Sequence, residues 1–137
     1  MQSTYRPTAA FVGASYAALG ISVAFYLVGL WNATMQLNEK GYYLVLLLYG
    51  LFAAISLQKS VRDRSEGIPV TGMYMGLCWA SVTAAIGLFA IGLFNATLAL
   101  SEKGFYAISY MMALFAIIAV QKNVRDLAAA GGGSGGV

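Results

Sequence analysis

Few side chains in this sequence can do chemistry, and most of those that can occur in matched pairs. Glu39-Lys40 recurs as Glu102-Lys103, Asn32 as Asn95, and Lys59, Arg62 and Asp63 as Lys122, Arg125 and Asp126. There is no histidine, and Cys78 is the one cysteine. A His-based triad, a zinc site built from His or several Cys, a multi-cysteine cluster and an intramolecular disulfide are therefore excluded within one chain. Nucleophilic catalysis needs a Ser or Cys with a base in reach, and the spacing puts no Lys or carboxylate at the depth of one. No catalytic, cofactor-binding or metal residue is assigned, and the chain is not expected to be an enzyme.

The elements that must position these residues are apolar helices. Of 137 residues, 60% are hydrophobic and 9% charged, too few charges to clothe a soluble domain of this size. Four charge-free stretches approach the ~20 residues that cross a bilayer: Ala9–Trp31, Gly41–Leu57, Val70–Phe94 and Gly104–Val120. The second and fourth are short, so their helices should continue into the polar residues that flank them. The first is too long for the ~7–15-residue core of a signal peptide, and is read as a retained span. The net charge of +3 forms no basic stripe of the kind that binds nucleic acid, so no nucleic-acid partner is expected. One side of the membrane collects Arg6, Lys59, Arg62, Arg64, Lys122 and Arg125, the other only Lys40 and Lys103. Positive residues favour the cytoplasm, so both termini are expected there.

An internal repeat organises the chain. Gly29-Leu-Trp-Asn-Ala-Thr-Met-Gln-Leu-Asn-Glu-Lys-Gly-Tyr-Tyr43 returns as Gly92-Leu-Phe-Asn-Ala-Thr-Leu-Ala-Leu-Ser-Glu-Lys-Gly-Phe-Tyr106, 63 residues on (Asn32 to Asn95), without a gap through the Gln-Lys-x-Val-Arg-Asp ending. The fold expected is all-α: a polytopic membrane protein whose four transmembrane helices form two tandem parallel two-helix hairpin repeats, 1–66 and 67–127. Two spans per copy make both copies enter from the same face, which does not support inverted-repeat transport. Gly67 should end one helix and Pro69 open the next. Residues 128–137, Ala- and Gly-rich, read as an appended flexible linker without function.

Each repeated motif has a structural and a functional reading. Asn38 and Ser101 are expected to cap the second helix of their hairpin, with Glu39 and Glu102 in the first turn facing the helix dipole. Lys40 and Lys103 can then reach lipid phosphates, and Gly41 and Gly104 permit a tight turn or close packing. The alternative makes the two glutamates a site for a cation or polar solute. Asn32 and Asn95 lie in Asn-Ala-Thr, the glycosylation pattern, but sit within about a turn of the membrane. Interhelical hydrogen bonding is the expected role, worth about 0.6–2 kcal/mol, and a polar pore lining is the alternative. Lys59–Asp63 and Lys122–Asp126 are four apart, so each can bridge along an exposed helix end for a few tenths of a kcal/mol. With Arg62 and Arg125 they anchor the chain to anionic phospholipids or dock a cytoplasmic protein.

Gly72, Gly76, Ala80 and Ala84 form a small-residue stripe that suits close helix packing, within the chain or between subunits, as do Ala10, Ala14, Ala18 and Ser22. The many Tyr, Phe and Met side chains are read as packing and interface residues, and Cys78 as an inert buried thiol.

Taken together, the two linkers (Asn38-Glu39-Lys40-Gly41 and Ser101-Glu102-Lys103-Gly104), the two Gln-Lys-x-Val-Arg-Asp endings and Glu66-Gly-Ile-Pro69 resemble the YiaA/YiaB two-helix domain family of bacterial inner-membrane proteins. The likeness runs from the first span to Asp126, and departs from the family in placing Asn38 where Ser is commoner. It implies four helices and a multi-pass inner-membrane location, and no particular chemistry. The expected function is a non-catalytic module that self-associates, as a homo-oligomer, or organises protein partners of unknown identity. A small oligomeric channel or transporter for an ion or polar solute is the alternative, weakened because ion-coupled transport places ionisable residues inside the spans.

Overall fold

The computed structural model describes residues 6–131 as four helices: α1 (Ala9–Asn32), α2 (Leu37–Ser65), α3 (Gly72–Asn95) and α4 (Leu100–Ala130). All four are long and apolar enough to cross a membrane. The starts of α3 and α4 fall 63 residues after those of α1 and α2, so the repeat in sequence is a repeat of two-helix hairpins. As the short apolar runs required, α2 and α4 continue beyond Leu57 and Val120, to 29 and 31 residues. At ~1.5 Å per residue each exceeds the ~30 Å hydrocarbon layer, and the Gln-Lys-x-Val-Arg-Asp turns project past it.

The helix boundaries follow from local chemistry. The Thr8 and Thr71 hydroxyls accept from the N–H groups of Phe11 and Tyr74, each at 3.1 Å, and so start α1 and α3. Pro69 does not open α3, contrary to the sequence expectation. It lies in the extended link two residues before Thr71, whose side chain can accept the orphan N–H groups that a proline ring cannot serve. Gly67, at φ +80°, does end α2. The Ile68 N–H bonds the Asp63 carbonyl and the Gly67 N–H that of Arg64, a Schellman closure that needs a left-handed residue at Gly67. At the far end Ala128–Ala130 form the last turn of α4 and Gly131 caps it, so this part of the expected linker is helical. Residues 132–137 of that linker lie outside the described residues.

The two helices of a hairpin barely touch. Instead α1 packs on α4 and α3 on α2, while α2 and α4 lie together at the centre. Exchanging the repeats maps these contacts onto one another, an approximate two-fold relation. At its centre sit Tyr26, Tyr43, Phe89, Tyr106 and Tyr110, all buried. Tyr26 meets Tyr106 edge-on with centroids 5.8 Å apart, and their counterparts Phe89 and Tyr43 meet edge-on at 6.0 Å. The Tyr26 hydroxyl donates to the Tyr43 carbonyl and that of Tyr110 to Leu46, both at 2.9 Å, so the polar tips of the two most buried tyrosines are satisfied inside the cluster.

Close approach between helices uses glycines outside the expected stripe. A Cβ on Gly29 would lie 2.5 Å from a ring carbon of Phe105, and one on Gly92 would lie 2.5 Å from a ring carbon of Tyr42. These are equivalent knob-and-hole contacts of α1 with α4 and of α3 with α2. Gly50 makes room for the Tyr110 hydroxyl in the same way. Gly72, Gly76, Ala80 and Ala84 all face outward, and a Cβ on either glycine would meet nothing within 4 Å. Their stripe does not pack within the chain.

Candidate functional site

The charged residues beyond the apolar runs of α2 and α4 converge at the end of the bundle that carries the termini. Lys59 bridges Asp63 and Lys122 bridges Asp126, both at 2.8 Å, as the four-residue spacing predicts. Two further ion pairs cross between the repeats: Arg62 to Asp126 and Arg125 to Asp63. Glu66 then receives Arg62 at 2.6 Å and Arg125 at 3.0 Å. Its repeat counterpart is Ala129, so the symmetric cross is closed by one carboxylate that the second repeat does not duplicate. The expectation of exposed pairs along single helices is corrected: Asp63 and Asp126 are each 6% exposed, because α2 and α4 press together there. Hydrogen bonds from Lys59 and Arg125 hold the Asp63 carboxyl below the usual carboxylate range. Burial pushes Asp126 up, but Lys122 and Arg62 together outweigh it and leave that group low as well. Arg62 and Arg125 likewise lower Glu66.

Below this clasp the same symmetry links helices of different repeats with neutral groups. Asn123 Nδ2 donates to Ser15 Oγ at 3.1 Å, and the equivalent pair, Ser60 Oγ and Cys78 Sγ, lie 3.6 Å apart. Cys78 is buried, in keeping with a packing thiol. Nothing in the sequence pattern flagged these pairs, since the repeat places Cys78 where the first copy has Ser15 and Asn123 where it has Ser60.

At the opposite, hairpin end the polar bonds stay inside one repeat. Asn32 Nδ2 donates to the Val28 carbonyl at 2.9 Å and Asn95 Nδ2 to that of Ile91 at 2.8 Å. This corrects the expected interhelical bonding: both side chains are exposed, and the carbonyl one turn back is the nearest partner. Asn38 and Ser101 are not caps either, but exposed residues inside the first turn of α2 and α4. The helices start two residues earlier than those caps require, because Glu39 and Glu102 reach back to the N–H groups of Gln36 and Ala99, at 3.0 and 3.1 Å. That is the return half of a capping box, and it works even at Ala99, which has no side-chain acceptor of its own. Lys40 and Lys103 each donate, at 3.1 Å, to a last-turn carbonyl of the preceding helix, Trp31 and Phe94. Gly41 and Gly104 sit in helical turns with nothing within 4 Å of a Cβ, so neither a tight turn nor close packing needs them.

The site residues named from sequence thus separate into two groups. Lys59, Arg62, Asp63, Lys122, Arg125 and Asp126 come together in one cluster, whereas each Asn-Glu-Lys-Gly or Ser-Glu-Lys-Gly linker stays with its own hairpin. Glu66, Gly29, Gly92 and the Ser15–Asn123 contact are the members that motif reading did not assign.

Both groups lie within stretches of the chain that match known proteins. A model of the yiaA/B two helix domain matches twice, over residues 11–63 and 74–126. The chain is 53% identical over 124 residues to inner membrane protein YiaA of Escherichia coli (strain K12), covering 90% of this chain and 84% of that one. It is 29% identical over 98 residues to inner membrane protein YiaB of the same organism, covering 69% and 80%. A third relative, uncharacterized membrane protein YubF of Bacillus subtilis (strain 168), is 39% identical over 62 residues, 44% of this chain and 71% of that one, a match one repeat long. No solved structure matches.

Proposed function

Since the chain belongs to the yiaA/B two helix domain family of membrane proteins, we propose that it is a non-catalytic membrane module whose working property is association. The observation that carries this reading is the exchange of partners inside the bundle: α1 packs on α4 and α3 on α2, so each hairpin is completed by another hairpin and not by itself. The chain is in effect a dimer of hairpins made in one piece. The outward small-residue stripe of α3 (Gly72, Gly76, Ala80, Ala84) offers a second, intermolecular use of the same kind of packing, because small side chains let backbones approach in lipid. The aromatic cluster supports the non-transporting part, since it fills the middle of a single chain where a path would run. The charge distribution supports an orientation with the clasp and both termini in the cytoplasm.

The test is made on purified protein in liposomes of bacterial lipid. Crosslinking should give a homo-oligomer that Gly76→Leu dissociates with little change in melting temperature, and ion and small-solute flux should match empty liposomes. Monomer alone at every protein concentration, or flux above the empty-liposome level, would overturn the proposal.

A further inference from the structure

Because the helices of a hairpin touch only sparsely, each hairpin leaves an apolar groove between them under its own loop. One, of about 730 Å³, is lined by Leu27, Leu30, Trp31, Lys40, Gly41 and Leu44. The other, of about 400 Å³, is lined among others by the counterparts Ala90, Leu93, Phe94, Lys103, Gly104 and Ala107, all 63 residues on. Both volumes fall in the ~300–1,000 Å³ range of small-ligand sites. In each, lysine is the one charged side chain in the wall, and it stands at the loop end, where the helix meets the headgroup region. Trp31 and Phe94 beside it are each 82% exposed, so the apolar wall of each groove is open at the surface of the bundle.

We propose that each groove binds one phospholipid with an anionic headgroup, an acyl chain lying along the groove and the phosphate on the Lys40 or Lys103 ammonium. Each ammonium spends one N–H on the Trp31 or Phe94 carbonyl, which fixes it over the groove mouth and leaves two donors for phosphate oxygens. Among the described residues neither lysine is in an ion pair, since Glu39 and Glu102 turn to backbone N–H groups. The positive charge is therefore placed but not neutralised by contact. Lipid tails are as apolar as the groove, so burying a chain there gives shape without much selectivity. The discrimination has to come from the ammonium, at roughly five-fold in affinity per site.

The test uses the full chain, purified in mild detergent, with lipid binding followed by native mass spectrometry. Phosphatidylglycerol should bind at two sites and diacylglycerol of the same chains should bind several-fold more weakly. Lys40→Gln with Lys103→Gln should remove that preference. Gly41→Leu with Gly104→Leu should fill the grooves and abolish both sites while leaving the melting temperature intact, because a Cβ at either glycine meets nothing within 4 Å. Equal binding of the two lipids by the unsubstituted protein, or undiminished phosphatidylglycerol binding in the glycine variant, would overturn the proposal and leave annular lipid only.

Discussion

The two ends of the bundle are built from equally repeated motifs, yet they use charge in opposite ways. At the terminal end Arg62 and Arg125 ignore their own helices' aspartates and reach across to Asp126 and Asp63, so both arginines tie one repeat to the other. At the hairpin end Glu39, Lys40 and Asn32, and their counterparts, each bond backbone of their own hairpin. The difference lies in helix spacing. Where α2 and α4 converge, an arginine of one repeat comes within reach of an aspartate of the other; where the helices of a hairpin stand apart, the nearest partner is an unpaired backbone group at a helix end. A repeated motif therefore means assembly at one end and local finishing at the other.

Three measurements test that contrast. The largest effect is expected from Asp63→Ala with Asp126→Ala, which leaves the half-buried Arg62 and Arg125 and the more exposed Lys59 and Lys122 without their aspartates. A loss of about 2 kcal/mol per aspartate, well short of additive between the two, should appear as a lower melting temperature in detergent. Acidification should do less, because a protonated carboxyl still accepts hydrogen bonds. All three clasp carboxyls titrate below their ordinary values. Their stabilisation is thus complete above the ordinary carboxylate range of about 4 and is lost as pH falls through and below it. A melting temperature that stayed flat down to about pH 3 would mean the cross-repeat pairs do not hold the bundle. The smallest effect belongs to Glu39→Gln with Glu102→Gln, which keeps an acceptor for the N–H groups and removes only the charge–dipole interaction, about 0.3–1 kcal/mol each. Here the two single losses should sum, and strong coupling between them would erase the distinction between the ends.

Much of the architecture was legible because period and composition are local properties. The four spans, the run-on of α2 and α4 and the 63-residue repeat can all be read from apolar length and self-similarity. Which hairpin face meets which could not be read: α1 is apolar nearly all round, and such a helix gives no directional signal. That is why the outward stripe at Gly72 and Gly76 stood out while Gly29 and Gly92, single glycines facing an aromatic ring, did not. The spacing of Lys59 and Asp63 predicted their pair, but the crossing arginine needs the distance between α2 and α4, which no spacing along one helix contains. The caps failed for a subtler reason. Asn38 and Ser101 have the right side chains, and a glutamate one position later can close the helix start without them.

The pairing of α1 with α4 also has a consequence for how the protein is made. Of these four helices α1 is made before the others, yet it packs mainly on α4, made after them. Throughout synthesis α1 must therefore wait in the bilayer with lipid in place of its partner, and the Gly29 notch stays empty until Phe105 arrives. Translation cut short before α4 yields a chain whose first span has no mate, a natural mark for membrane quality control.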